Sequence, residues 1–173
     1  AAVSPAAREK WLQTLTGTCP LGPIGPVDAA AAVIVPGRAE GLIVGGNLAL
    51  ICTLLGTPYE LDTRGVLLFL ENVDDRAYRF DRYLTQLRLA GKLDDCAGII
   101  VGTSVELAAT GGDGHSTLQA ILRDHLLPLG KPAIYGFPAG HLRDNFAFPL
   151  GTRVRLEAQG RDWQVTFLES LAG

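Results

Sequence analysis

Methionine is absent from all 173 residues, tryptophan occurs twice and cysteine three times. The cysteines, Cys19, Cys52 and Cys96, are odd in number and scattered. They spell neither a disulfide framework nor a zinc-ligand pattern, and a reduced, cytoplasmic compartment is the expectation. No basic segment leads into an apolar stretch at Ala1, as a secretory signal would. The longest apolar runs, 66–70 and 97–101, have the length of strands and fall far below the ~18 residues that cross a bilayer. Charge of one sign is also missing: 15 Lys and Arg against 18 Asp and Glu leave a net charge of -3. Neither nucleic acid nor a membrane surface is therefore expected as a partner. The lack of methionine, with Ala1 first, predicts a piece of a longer protein; a removed initiator methionine is the simpler alternative.

What is present reads as one folded domain. Hydrophobic residues make up 47% of the chain and charged residues 19%, below the ~25% of an average soluble protein, which excludes a disordered tail. Ser4 before Pro5 is an N-cap and first helical position, Trp11, Leu12 and Leu15 supply an apolar edge, and Gly17 stops the helix. Gly17, Pro20, Gly22, Pro23, Gly25 and Pro26 then exclude helix and central strand. Residues 17–26 thus read as loop or linker, which leaves the helix before them open to belonging to a neighbouring domain. Short strands are predicted over 31–35 and 41–44, after which Gly45-Gly46-Asn47 leads into a helix with Leu48, Ile51, Cys52 and Leu55 on one face. The run 66–70 reads as a strand covered on both faces, with Glu71 at its carboxyl end. Asp74 or Asp75 caps the next helix, whose Ala77, Phe80, Leu84 and Leu87 form one face up to Gly91. Residues 97–101 repeat the buried strand, a loop with Gly111, Gly112 and Gly114 follows, and Leu118, Ile121 and Leu122 mark a helix ending near Pro128. A strand over 132–137 runs into Pro138-Ala139-Gly140-His141, and Val154, Leu156, Trp163, Val165 and Phe167 alternate about Gly160 as a hairpin would. Strands alternating with helices predict an α/β fold.

If the buried runs are neighbouring parallel strands, Glu71 and His141 share the carboxyl rim, where open α/β sheets place their ligands. A glutamate bonded to Nδ1–H of a histidine orients the ring and stabilises the imidazolium formed when Nε2 takes a proton from a nucleophile. That is two thirds of a triad; the plainer reading of a glutamate at a strand end is a solvated side chain or a cap. The nucleophile is not evident. None of Ser4, Ser104, Ser116 and Ser170 lies in a nucleophile elbow; Ser4 and Ser116 read as helix caps, and Ser104, the best local candidate, fits ordinary turn chemistry beside Thr103. Cys52 and Cys96 fall on apolar elements as buried thiols, and Cys19 has no histidine or basic neighbour. His115, His125 and His141 lack metal-ligand spacing, so no metal and no cofactor is expected. Gly45 and Gly46 favour close strand–helix packing over an anion site. Arg76, Arg79, Arg82 and Arg88 are balanced by Asp74, Asp75 and Asp81, which reads as a salt-bridged face and not a phosphate site.

Taken in order, Gly45-Gly46-Asn47-Leu48, Gly56-Thr57-Pro58-Tyr59, Leu68-Phe69-Leu70-Glu71, Tyr78-Arg79-Phe80-Asp81-Arg82 and Leu84-Thr85-Gln86-Leu87 resemble the C-terminal domain of LD-carboxypeptidases. Gly136-Phe137-Pro138-Ala139-Gly140-His141, then Asn145 and Pro149-Leu150-Gly151, carry the resemblance from about Leu42 to Gly151. It implies a small mixed α/β domain of the swivelling β/β/α kind, a barrel-like sheet with flanking helices, forming the C-terminal half of a two-domain enzyme, with residues 1–26 a hinge helix and linker and 27–173 the C-terminal domain itself. It further implies a serine peptidase whose Ser-His-Glu triad is split over both domains. Glu71 and His141 match the Glu and His, and the serine and oxyanion amides belong to an N-terminal domain, whose Gly-Tyr-Ser-Asp type turn this chain lacks. Asn72 stands where the family commonly carries Asp, and Leu142 where it commonly carries Gly; neither departure removes a triad group, and it is Leu142 that bears on the turn and pocket beside His141.

The implied activity is removal of the terminal D-alanine from L,D-linked muropeptide tetrapeptides in cytoplasmic cell-wall recycling. The implied partners are the muropeptide, the N-terminal domain and a second copy in a homodimer. The same motifs are similar to those of immunity enzymes that hydrolyse a peptidyl-aminoacyl-nucleotide antibiotic. A reading from another class is a non-catalytic interaction module, since a Glu–His pair alone has nothing to activate; the isolated chain is expected to be inactive.

Overall fold

The computed structural model describes residues 3–17, 21–73, 77–103, 118–142 and 144–169. Helix α1 (Pro5–Thr16) precedes strands β1 (Pro23–Ile24), β2 (Ala32–Val35) and β3 (Gly37–Asn47). There follow α2 (Leu48–Thr53), β4 (Leu67–Glu71), α3 (Ala77–Leu89), the one-turn α4 (Lys92–Asp95) and β5 (Gly98–Gly102). Helix α5 (Leu118–Leu126), β6 (Ala133–Phe137), β7 (Arg153–Gln159) and β8 (Asp162–Phe167) complete the order.

All eight strands join one mixed sheet in the order β1-β8-β7-β3-β4-β5-β6-β2. Strands β3 to β6 are parallel neighbours, and the remaining pairs are antiparallel. Because each parallel strand lies beside its predecessor, crossovers of one hand return on the same face every time. One face of the sheet accordingly carries Leu68, Leu70, Ile99, Val101 and Tyr135 against Leu48 of α2, Phe80 and Leu84 of α3 and Leu122 of α5. The opposite residues of the same strands, Leu67, Phe69, Ile100 and Ile134, form a second core with Val154, Leu156, Trp163 and Phe167. The sheet curls around this inner core until edge strand β2 comes against β7 and β8. The architecture is the expected mixed α/β one: a small, barrel-like sheet with flanking helices.

Strand β3 is the seam, pairing with β7 over its first half and β4 over its second. It runs well beyond the predicted 41–44, because Gly37, Gly41, Gly45 and Gly46 mask the alternation that marks a strand. Two of these glycines serve close approach: a Cβ at Gly41 would stand 2.6 Å from the Gly65 carbonyl, and one at Gly45 would overlap the backbone of Phe69. The packing partner of Gly45 is thus the neighbouring strand, not the helix that the sequence pointed to.

Helix α1 has the expected ends. The Ser4 hydroxyl accepts the Ala7 amide at 3.2 Å, and Gly17 closes the helix with φ of 64°. Its apolar edge is not buried: Trp11, Leu12 and Leu15 are exposed and only Ala7 enters the inner core. The stretch read as linker contributes β1, where Pro23 pairs with Thr166 on an edge that tolerates proline, and Leu21 and Ile24 are buried. The predicted caps Asp74 and Asp75 and the Gly111–Gly114 loop lie outside the described residues. Among the described residues no helix is long and apolar enough to cross a membrane.

Candidate active site

Alternation along β3 and β4 sends Ile43, Phe69 and then Glu71 to the inner face of the sheet. Parallel register places Asn47 beside Glu71 at the carboxyl ends of the two strands. Two strands further on, β6 ends at Phe137, and the turn through Pro138 brings His141 back across β5. The two residues singled out in the sequence meet: His141 Nδ1 lies 2.8 Å from Glu71 Oε2. Against a carboxylate oxygen Nδ1 is the donor, which leaves Nε2 as the basic nitrogen. Asn47 Nδ2 donates to the other carboxylate oxygen, Oε1, at 3.1 Å, so both oxygens of Glu71 are engaged. Gly102 and Gly140 flank the glutamate, a Cβ at either position lying 3.2 Å and 3.5 Å from Glu71 Cβ. The Glu71 side chain is only 12% exposed whereas that of His141 is 56% exposed, so a shielded, fixed carboxylate holds an accessible imidazole. Together they stand at a cleft of ≈ 760 Å³ walled by Phe69, Leu142, Phe146, Phe148 and Leu150.

Asn47 is the residue that sequence reasoning did not assign. Its Oδ1 caps α2 by accepting the Leu50 amide at 3.1 Å while its amide nitrogen holds Glu71. An asparagine directly before a helix signalled the cap; the second role depends on the β3–β4 register.

The other candidates separate from this site. Ser4 is the cap of α1, and Ser104, Ser116, Ser170, Cys19 and His115 lie outside the described residues. Burial pushes the Cys52 and Cys96 thiols up to about 11, as inert core groups. Asp81 reaches off its own helix: its Oδ1 lies 2.7 Å from Nε2 of the buried His125, tying α3 to α5.

Residues 40–156 match the family described as the LD-carboxypeptidase C-terminal domain. The probable murein peptide carboxypeptidase of Bacillus subtilis (strain 168) is 43% identical over 123 residues, 71% of this chain and 39% of that protein. The microcin C7 self-immunity protein of Escherichia coli is 24% identical over 131 residues, 75% of this chain and 38% of that one. The crystal structure of a muramoyltetrapeptide carboxypeptidase from Oxalobacter formigenes aligns with a TM-score of 0.76 at 26% identity, covering 96% of this chain and 56% of that one. The chain spans about two fifths of the length of these two curated relatives.

Proposed function

The chain belongs to the LD-carboxypeptidase family, as its C-terminal domain, and on that premise we propose that it supplies the Glu–His half of a serine-type LD-carboxypeptidase site. The substrate class is an L,D-linked murein tetrapeptide that loses its terminal D-alanine, and the nucleophilic serine stands on a separate N-terminal domain. The observation that carries this reading is the His141 Nδ1 to Glu71 Oε2 bond of 2.8 Å at the edge of an open cleft.

In the proposed reaction the serine hydroxyl adds to the carbonyl of the last peptide bond and gives its proton to His141 Nε2. The C–N bond then breaks, the same proton passes to the departing D-alanine amine, and water repeats the sequence on the acyl-enzyme. Glu71 keeps the imidazole in the Nδ1–H tautomer and stabilises its cationic form without taking the proton itself. Asn47 and the two glycines keep the carboxylate from turning away.

The test is D-alanine release from an L,D-tetrapeptide by a form extended to the length of its relatives, beside the 173-residue chain. Release by the extended form alone is expected. Within that form, Glu71→Gln and His141→Ala should each lower turnover roughly 10³-fold or more with folding intact. Near-normal turnover in either variant overturns the assignment.

A further inference from the structure

His141 is held to Glu71 by a single bond, and the turn that presents it contains Gly140 at φ of 133°, a conformation open to glycine but not fixed by it. Something else must select that backbone geometry. We infer that Asn145 is a positioning residue for His141, its side-chain oxygen fixing the turn that delivers the imidazole to Glu71. This rests on the reading of His141 as the base of the site.

The Gly140 amide, next in the chain to His141, donates to Asn145 Oδ1 at 3.0 Å. One residue further, the Phe146 amide donates to the Pro138 carbonyl at 2.8 Å. These two bonds clamp 138–140 against 145–146 and close a short loop with His141 on it. The far side of the clamp is itself anchored. Asp144 Oδ1 accepts the Ser4 amide at 2.8 Å, and the Ala147 carbonyl accepts the Thr14 hydroxyl at 3.0 Å, so both ends of α1 hold the segment that carries Asn145. Phe146 is buried in the inner core between them. Asn145 therefore reaches toward Gly140 from a fixed platform. The bond is exposed and adds little to folding, yet it restrains the amide directly before the reacting histidine.

The decisive experiment is ¹⁵N NMR of the His141 imidazole in the 173-residue chain at neutral pH, which reads the tautomer without any turnover. The native chain is expected to hold the Nδ1–H form. Asn145→Ala should lose that preference several-fold while amide signals away from the loop stay in place, and Asn145→Asp, which keeps the acceptor, should restore it. An unchanged tautomer in Asn145→Ala, or an Asp variant as impaired as the Ala variant, overturns the inference. In the extended form the same Asn145→Ala change should lower kcat roughly 10- to 100-fold with little change in KM. A wild-type rate in Glu71→Gln would instead overturn the catalytic reading while leaving the tautomer result intact.

Discussion

One amide side chain at Asn47 performs two jobs that are usually separate. Its oxygen caps α2 and its nitrogen holds the carboxylate of Glu71, so the start of a helix and the orientation of the site are fixed by the same residue. Asn47→Ala should cost about 1 kcal/mol of stability from the lost cap. It should also lower turnover of the extended form by more than that loss explains, because Glu71 Oε1 is left without its donor. Asn47→Asp keeps the capping oxygen but sets a second carboxylate against Glu71, so it should retain most of the stability and lose more of the activity than the alanine variant. Urea unfolding and initial rates measured on the same preparations check this; parallel losses of stability and rate across both variants would reduce Asn47 to a cap.

The helical layer is joined by polar contacts between elements as well as by its apolar face. Cys52 Sγ lies 3.5 Å from the Tyr83 carbonyl, linking α2 to α3, and Asp81 with His125 links α3 to α5. Burial raises the Cys52 and Cys96 thiols from 9.0 to about 11. Between those two values the unfolded chain releases thiol protons that the folded chain keeps. The unfolded state then binds fewer protons, so stability is complete below pH 9.0 and falls as pH rises toward about 11. Cys96→Ala should show a shallower decline over that window in urea unfolding at stepped pH, and an unchanged slope would contradict the burial argument. Elements of this layer were legible in the sequence because Phe80, Leu84 and Leu87, or Leu118, Ile121 and Leu122, repeat at helical spacing. So were Glu71 and His141, each standing just past a buried run. Strand β3 was only partly legible, since Gly45 answers to Phe69 on the neighbouring strand and Gly41 to Gly65 just before it, contacts that no local pattern encodes. Asn47 against Glu71 and Asn145 against Gly140 belong to the same class: one depends on strand register, the other on the path of a loop.

Across the whole molecule a single sheet divides two cores, and the site sits above one of them. Strand β4 alternates between the two, with Leu67 and Phe69 facing inward and Leu68 and Leu70 toward the helices, and β5 and β6 do the same, so the two cores share their central strands. Unfolding should therefore be one cooperative event. Leu84→Ala on the helical side should cost about 2–5 kcal/mol and Phe137→Ala on the inner side about 3–5 kcal/mol. Their effects on the site should differ. Phe137 packs edge-on against Phe69 and Phe148, with ring centroids 5.9 Å and 5.2 Å away, and both partners wall the cleft below His141. Phe137→Ala should thus disturb the His141 imidazole signal at temperatures where the chain is still folded, whereas Leu84→Ala should leave it in place. Trp163, buried beside Phe137, gives a fluorescence probe of the inner core to set against far-ultraviolet circular dichroism of the helices. Coincident transitions from the two probes are expected in both variants. Separate transitions would mean that the cores fold apart, and an equal response of His141 to both substitutions would mean that the site is supported by the sheet as a whole rather than by the aromatic cluster beneath it.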